Sequence, residues 1–513
     1  MSTEDTNKAV VTLQLGVDVD AFIEDMVSGT NHNEFMPNRR VELHNEKLDS
    51  LRNVDFVLTK AEAEQLKNDE RVIDVRYGTK EENGIFFKTR SSSGSQLYSK
   101  TNVLDPTHYN WGIPSCINST NPFITSDLTY THNYPVAGRG VDVVIQDSGI
   151  LTTHPEWLDS TGTASRLQQI NWPVVTGTTA QYTQGSLHYT DQNGHGTHVA
   201  GIAAGRLYGW AKDSNIYAIK IFDTDSYGVS ASVNMIRIFH SLKTVTGTGY
   251  KRPTIVNMSW EYYKIYENIT GGTYRGTPWT ATTPQSLYGM VSTIYNKVSG
   301  QTKYYHPVRV ASVDADLLDC VNAGVIMVAA AGNDAHKIDV STGQDYNNSY
   351  TNSVDGLQYY HRGGTPNSTA GIITVGSVKI AQPEGKNFFS NSGPGINVWA
   401  PGEQIMSSIP EGSVDELSAG SVPYPANSAF KSTKLSGTSM AAPQVTGVLA
   451  TILDARPEYS QTNVGIAIGE LASTNRLNDT GGGFADLQSL QGAPNKFLKQ
   501  PFNGANAWKF TGN

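Results

Sequence analysis

At 513 residues the chain is too long for one ordinary hydrophobic core and long enough for a large α/β domain with smaller additions. A net charge of −9, with no standing cluster of Lys and Arg, argues against nucleic acid as a partner, and no apolar run approaches the roughly 20 residues that cross a bilayer, which argues against a membrane. Cys116 and Cys320 lack CxxC spacing and are expected as buried thiols rather than a disulfide framework.

The opening MSTEDTNKAVVTLQL is polar and acidic, without the basic start and apolar stretch of a secretory signal. Sec-type export is not supported; cytoplasmic synthesis is expected, with a non-Sec route or packaging into a particle as alternatives. Residues 9–76, within a first unit set at 1–78, then read as β-α-β-α-β. AVVTLQL alternates as a strand, DVDAFIEDMV places Ala21, Phe22, Met26 and Val27 near one helical face, and VDFVLT is a second strand. Thr59 followed by Glu62 forms a capping box before AEAEQLKNDE, and VIDVRY supplies a third strand, a pattern that fits a small ferredoxin-like α+β unit. Residues 79–104, with RSSSGSQ at 90–96, read as an exposed connector open to proteolysis. From 105 to 475, VDVVIQD, NIYAIKIF, TIVNMS, VIMVAAA and IITVGS are continuous β-branched runs alternating with helical stretches. The expected fold is therefore α/β, a doubly wound and mostly parallel sheet. Residues 261–308, rich in Tyr, Thr and Gly, interrupt it as a surface insertion, and 476–513 reads as a loop-rich extension.

Three short strings carry reactive side chains. VIQDSG delivers Asp147 to the carboxyl end of a strand, where a turn-capping carboxylate is the bland alternative. NGHGTHVAG places His195 between glycines at a helix start; His198, three residues on, is a rival that the small apolar residues after it favour as a packed, hydrogen-bonded histidine. SGTSMAAP puts Ser439 where a loop becomes a helix, so that its N–H joins the positive helix end, although an N-cap serine would look the same. It is not a G-x-S-x-G elbow, since Ala441 stands where that motif has glycine. VIMVAAAGND adds Asn333 at a strand end, an amide suited to an oxyanion or to an ordinary turn. An acid that orients an imidazole, a base and a hydroxyl form the set needed for acyl transfer.

With these motifs the chain resembles the subtilisin-like serine peptidases, and its spacing after the histidine motif resembles the proteinase K branch most. The resemblance implies that Asp147 orients, His195 is base then acid, Ser439 attacks and Asn333 completes an oxyanion hole. It implies substrate binding at Gly228 in DTDSYGVS, at Ser259, Trp260 and Glu261 in NMSWE, and at Gly332. Where the family commonly has Ser-Leu-Gly-Gly, this chain has Ser-Trp-Glu-Tyr, so the primary pocket departs from the pattern, with Glu261 either favouring basic substrates or solvated. Protein or peptide substrates are implied, and the first unit resembles the family's propeptide, an intramolecular inhibitor released by autocleavage. No cofactor is expected. Family members often carry calcium, but no EF-hand type loop occurs and Lys379 follows ITVGS, so no metal site is assigned. The expected activity is serine endopeptidase, with a self-inhibited binding or structural protein, or an esterase, as the competing readings.

Overall fold

The computed structural model describes residues 6–29, 34–45, 50–78, 85–89, 110–117, 134, 136–159, 161–245, 249–266, 269–280, 288–290, 304–353 and 356–500. The first unit runs β1 (Thr6–Leu13), α1 (Val19–Ser28), β2 (Glu42–Asn45), β3 (Asn53–Thr59), α2 (Lys60–Leu66) and β4 (Val72–Tyr77). Its sheet has the order β2-β3-β1-β4 with every pair antiparallel, the ferredoxin-like arrangement with one strand, β2, more than the sequence suggested. Thr59 and Glu62 close the capping box: Glu62 N donates to Thr59 Oγ1 at 3.2 Å and Thr59 N to Glu62 Oε2 at 2.8 Å. On α1 the buried stripe is narrower than expected. Phe22 and Met26, one turn apart, are buried; Ala21 and Val27 lie to either side of that line and are exposed.

The chain then forms β5 (Ile85–Thr89) inside the stretch expected as a bare connector; the rest of 79–104 lies outside the described residues. The second unit is built on an eight-stranded sheet. Its elements are β6 (Asp142–Asp147), α3 (His195–Ala204), β7 (Asn215–Lys220), α4 (Val229–Ser241), β8 (Thr254–Met258), β9 (Trp260–Tyr266), α5 (Ala311–Asn322), β10 (Ile326–Ala330), β11 (Ile373–Val378), β12 (Val398–Pro401) and α6 (Thr438–Ala455). The sheet order from one edge is β7, β6, β8, β10, β11, β12, Lys496–Phe497 and Ser473–Thr474, parallel except for the last pair. Alternation along the strands fills two cores. Val143, Ile145, Ile216, Ala218 and Val328 join the cluster under α3 and α6, while Val144, Tyr217, Ile219 and Met327 join the one under α4 and α5.

The segment set apart as 476–513 is not separate as far as it is described. Lys496–Phe497 pairs with β12, Leu498 N donates to Trp399 O at 2.7 Å, and Phe497 and Leu498 are fully buried. Composition hid this because a two-residue strand leaves no periodicity. The insertion is partly buried too: Glu261, Tyr262 and Lys264 of β9 are inside, and Ile269–Tyr274 and Thr277–Thr280 pair into a small antiparallel sheet with Ser349–Asn352 and Gly356–Tyr359. Both cysteines are free and buried. Among the described residues no helix is long and apolar enough to cross a membrane.

The two units touch along α5. Arg52 Nε lies 3.0 Å from Asp319 Oδ2, Asn53 Nδ2 donates to Asp316 Oδ1 at 3.0 Å and to Ser312 O at 2.9 Å, and Arg76 donates to Ser312 Oγ at 2.9 Å. The stretch between the units also meets the second unit. β5 pairs antiparallel with β9 in the register Ile85↔Lys264 to Thr89↔Trp260.

Candidate active site

β6 ends in Asp147, and α3 begins at His195. Missing side chains bring them together: a Cβ on Gly196 would lie 2.2 Å from Gly149 O and 3.2 Å from Asp147 Cβ. Gly194, at φ 98°, caps the helix from the left-handed region that favours glycine. His195 Nδ1 consequently sits 2.9 Å from Asp147 Oδ1 and 3.0 Å from Oδ2, both side chains 1% exposed. Burial alone would depress the imidazole pKa, but the charge and hydrogen bond of Asp147, helped by Asp415 and Asp191, push it up to about 8. Nε2 is buried and has no hydrogen-bond partner among the described residues.

Sequence reasoning missed Asp191. Its buried carboxylate accepts from Gly194 N at 2.8 Å, Thr197 N at 2.8 Å, Thr197 Oγ1 at 2.6 Å and Ser148 Oγ at 2.8 Å. Ser148 Oγ in turn accepts from Gly196 N at 2.8 Å, so one carboxylate ties the end of β6 to the start of α3 and fixes the imidazole over Asp147. The signal was an acid four residues before His195, where helix N–H groups lack intrahelical partners.

Ser439 lies in the first turn of α6 and is 2% exposed. Pro443, one turn on, has no N–H for the Ser439 carbonyl, which accepts instead from Ser259 Oγ at 2.9 Å. The Ser439 hydroxyl donates to Ser259 O at 3.3 Å, and the bond from serine to His195 Nε2 in the expected row is not formed. Asn333 is oriented by Thr438, whose N–H and hydroxyl donate to its Oδ1 at 2.8 and 2.9 Å. With that oxygen engaged, the amide NH2 is the face opposite.

Ser259, Trp260, Glu261, Gly332 and Asn333 line one cleft with Ser439, Thr438 and Ala330. Gly228 does not line it; it precedes α4, with open space where a Cβ would be. Trp260 serves chiefly the core, its Nε1 donating to Gln146 Oε1 at 3.0 Å. Glu261 is only 4% exposed, which excludes the solvated alternative. His198 is the packed histidine expected, its Nε2 3.1 Å from Thr433 O, and burial pushes its pKa down to about 3. Among the described residues no group of three or more His, Cys, Asp or Glu is placed to hold a metal, and Lys379 donates to Gln488 Oε1 at 2.7 Å.

A family model described as the Subtilase family matches residues 138–490. An alkaline proteinase of Hapsidospora chrysogena is 29% identical over 371 residues, 72% of this chain and 63% of its own length. An extracellular serine proteinase of Thermus sp. (strain Rt41A) is 26% identical over 392 residues, 76% of this chain and 66% of its own length. The chain thus spans just under two thirds of these curated relatives. Fervidolysin from Fervidobacterium pennivorans, described as a keratinolytic enzyme related to subtilisin, has the same fold at 17% identity, with a TM-score of 0.51 over 96% of this chain and 60% of that one. With its sheet, its cleft and a family match over most of its length, this chain belongs to the subtilase family.

Proposed function

We propose that the protein is a serine endopeptidase made as a self-inhibited precursor. The observation that carries this is the buried Asp147–His195 pair, whose outer nitrogen, Nε2, is left for a hydroxyl at a cleft that Ser439 lines. The mechanism requires the Ser439 hydroxyl to turn from the Ser259 carbonyl toward that nitrogen. His195 then takes the hydroxyl proton as Oγ attacks a peptide carbonyl, Asp147 stabilises the imidazolium, and the proton passes to the leaving amine. The negative oxygen is met by the Ser439 N–H at the positive end of α6 and by the Asn333 amide. Relatives named proteinases support peptides as the substrate.

Self-inhibition is supported by the first unit's seat on α5 and by β5, which occupies the edge of β9 beside the cleft. A retained, uncleaved first unit would favour the alternative of a silent binding protein on this scaffold. Ser439→Ala separates them: it is expected to abolish labelling by a serine-directed phosphonate and to lower peptide turnover by about 10⁶-fold, a magnitude established in subtilisin. Turnover unchanged in that variant would overturn the proposal.

A further inference from the structure

We propose that Asn391 is a positioning residue for the reaction: it clamps the turn 331–336 on both sides of Asn333 and so holds the oxyanion amide where the negative charge develops. The inference rests on the peptidase reading and adds a residue to its machinery.

The first support is the hydrogen bonding. Asn391 lies in the segment between β11 and β12 and is fully buried. On the near side of Asn333, its Nδ2 donates to Ala331 O at 2.7 Å and its backbone N to Gly332 O at 2.9 Å. On the far side, its Oδ1 accepts from Asp334 N at 3.2 Å and from His336 N at 2.9 Å. Buried main-chain groups in a turn have no ladder to satisfy them, and here one amide meets a carbonyl and two N–H groups at once. The match is directional: reversed, the amide would set its NH2 against two donors and its oxygen against a carbonyl.

The second support is the shape of the turn. Gly332 takes φ 101° and Ala335 φ 56°, and a residue with a Cβ enters that left-handed region at a cost and stays there only where its surroundings over-determine it. Asn391 bonds the residues on either side of Ala335, and Ala335 N donates to Phe389 O at 2.8 Å. A Cβ on Gly332 would lie 2.4 Å from Asn391 Nδ2, so the clamp closes directly on the turn. Thr438 fixes the direction of the Asn333 side chain, whereas Asn391 fixes the main chain that carries it. An oxyanion donor has to stand about 2.7–3.1 Å from the forming oxygen, and it meets that charge in the transition state rather than in bound substrate. Loosening the turn therefore subtracts from kcat and leaves KM in place.

The test uses the full-length chain, with peptide turnover normalised to the Ser439 that a serine-directed phosphonate labels at completion, so that misfolded protein is not counted. Asn391→Ala is expected to lower kcat by about 10²-fold with KM within about 3-fold, approaching the loss from Asn333→Ala, a magnitude established in subtilisin. In the Asn333→Ala background the same change is expected to lower kcat by no more than about 3-fold, because the donor it serves is gone. Asn391→Asp keeps the volume and the oxygen that accepts from Asp334 and His336 and alters only the group facing Ala331 O; it is expected to fold and to show a smaller loss of kcat. With an isotope-labelled peptidyl aldehyde followed by carbon NMR, the hemiacetal at Ser439 is expected to lose its proton at higher pH in the Asp variant than in the wild type. Losses that multiply in the double variant, an unchanged kcat per labelled site, a rise in KM alone, or a hemiacetal that titrates as in the wild type would overturn the proposal. Protein that labels and cleaves but is indifferent to changes at Asn391 loses this inference alone; wild-type protein that neither labels nor cleaves loses the peptidase reading as well.

Discussion

His195 sets the pH range of the site. Its conjugate acid, held up to about 8 by Asp147 against the cost of burial, cannot accept the serine proton, so kcat/KM is expected to rise with pH around a midpoint of about 8. The sign for stability is opposite. Because the folded value lies above the ordinary 6.5, the pair adds stability that is complete below about 6.5 and is lost as pH rises through about 8, which urea melts across that window would register. Asn333→Ala is expected to lower kcat by about 10²- to 10³-fold while the phosphonate still reacts, again a magnitude established in subtilisin. The reactive residues were legible because the close approach that chemistry needs forces glycine next to them, as Gly196 is forced between Asp147 and His195. Asp191 and Thr438 were not, since each acts through hydrogen bonds whose partners only the fold brings near.

At the scale of elements, β6 and α3 meet with no room to spare. Gly196→Ala puts a methyl group 2.2 Å from a backbone oxygen that cannot swing away, so the helix start must lift from the strand end. The expected loss is at least about 1–3 kcal/mol in urea unfolding together with most of the activity. Long β-branched runs announced the sheet strands because strands covered on both faces need apolar residues at every position. β2, reading ELHN, and β5, reading IFFKT within polar neighbours, gave no such announcement. Their pairing is dictated by the edges they meet, β3 and β9, and not by their own pattern.

For the molecule as a whole, the seat between the two units turns on a buried ion pair. Arg52 and Asp319 have side chains 5% and 2% exposed, so Arg52→Ala strands a carboxylate in the interface. A penalty of about 3–5 kcal/mol is expected, read as faster hydrogen exchange in β1–β4 of the full chain with β6–β12 unaffected. The far rim of the sheet has its own dependence. Trp399 Nε1 donates to Pro494 O at 3.0 Å, and Phe497 covers the flank of β12. A polypeptide ending at 475 would bare a row of amide and carbonyl groups beside an uncapped indole, a template for strand exchange between neighbouring molecules. Sedimentation at rising concentration would show it clumping where the intact chain stays dispersed: the tail acts as a hem that keeps the fabric from joining its like.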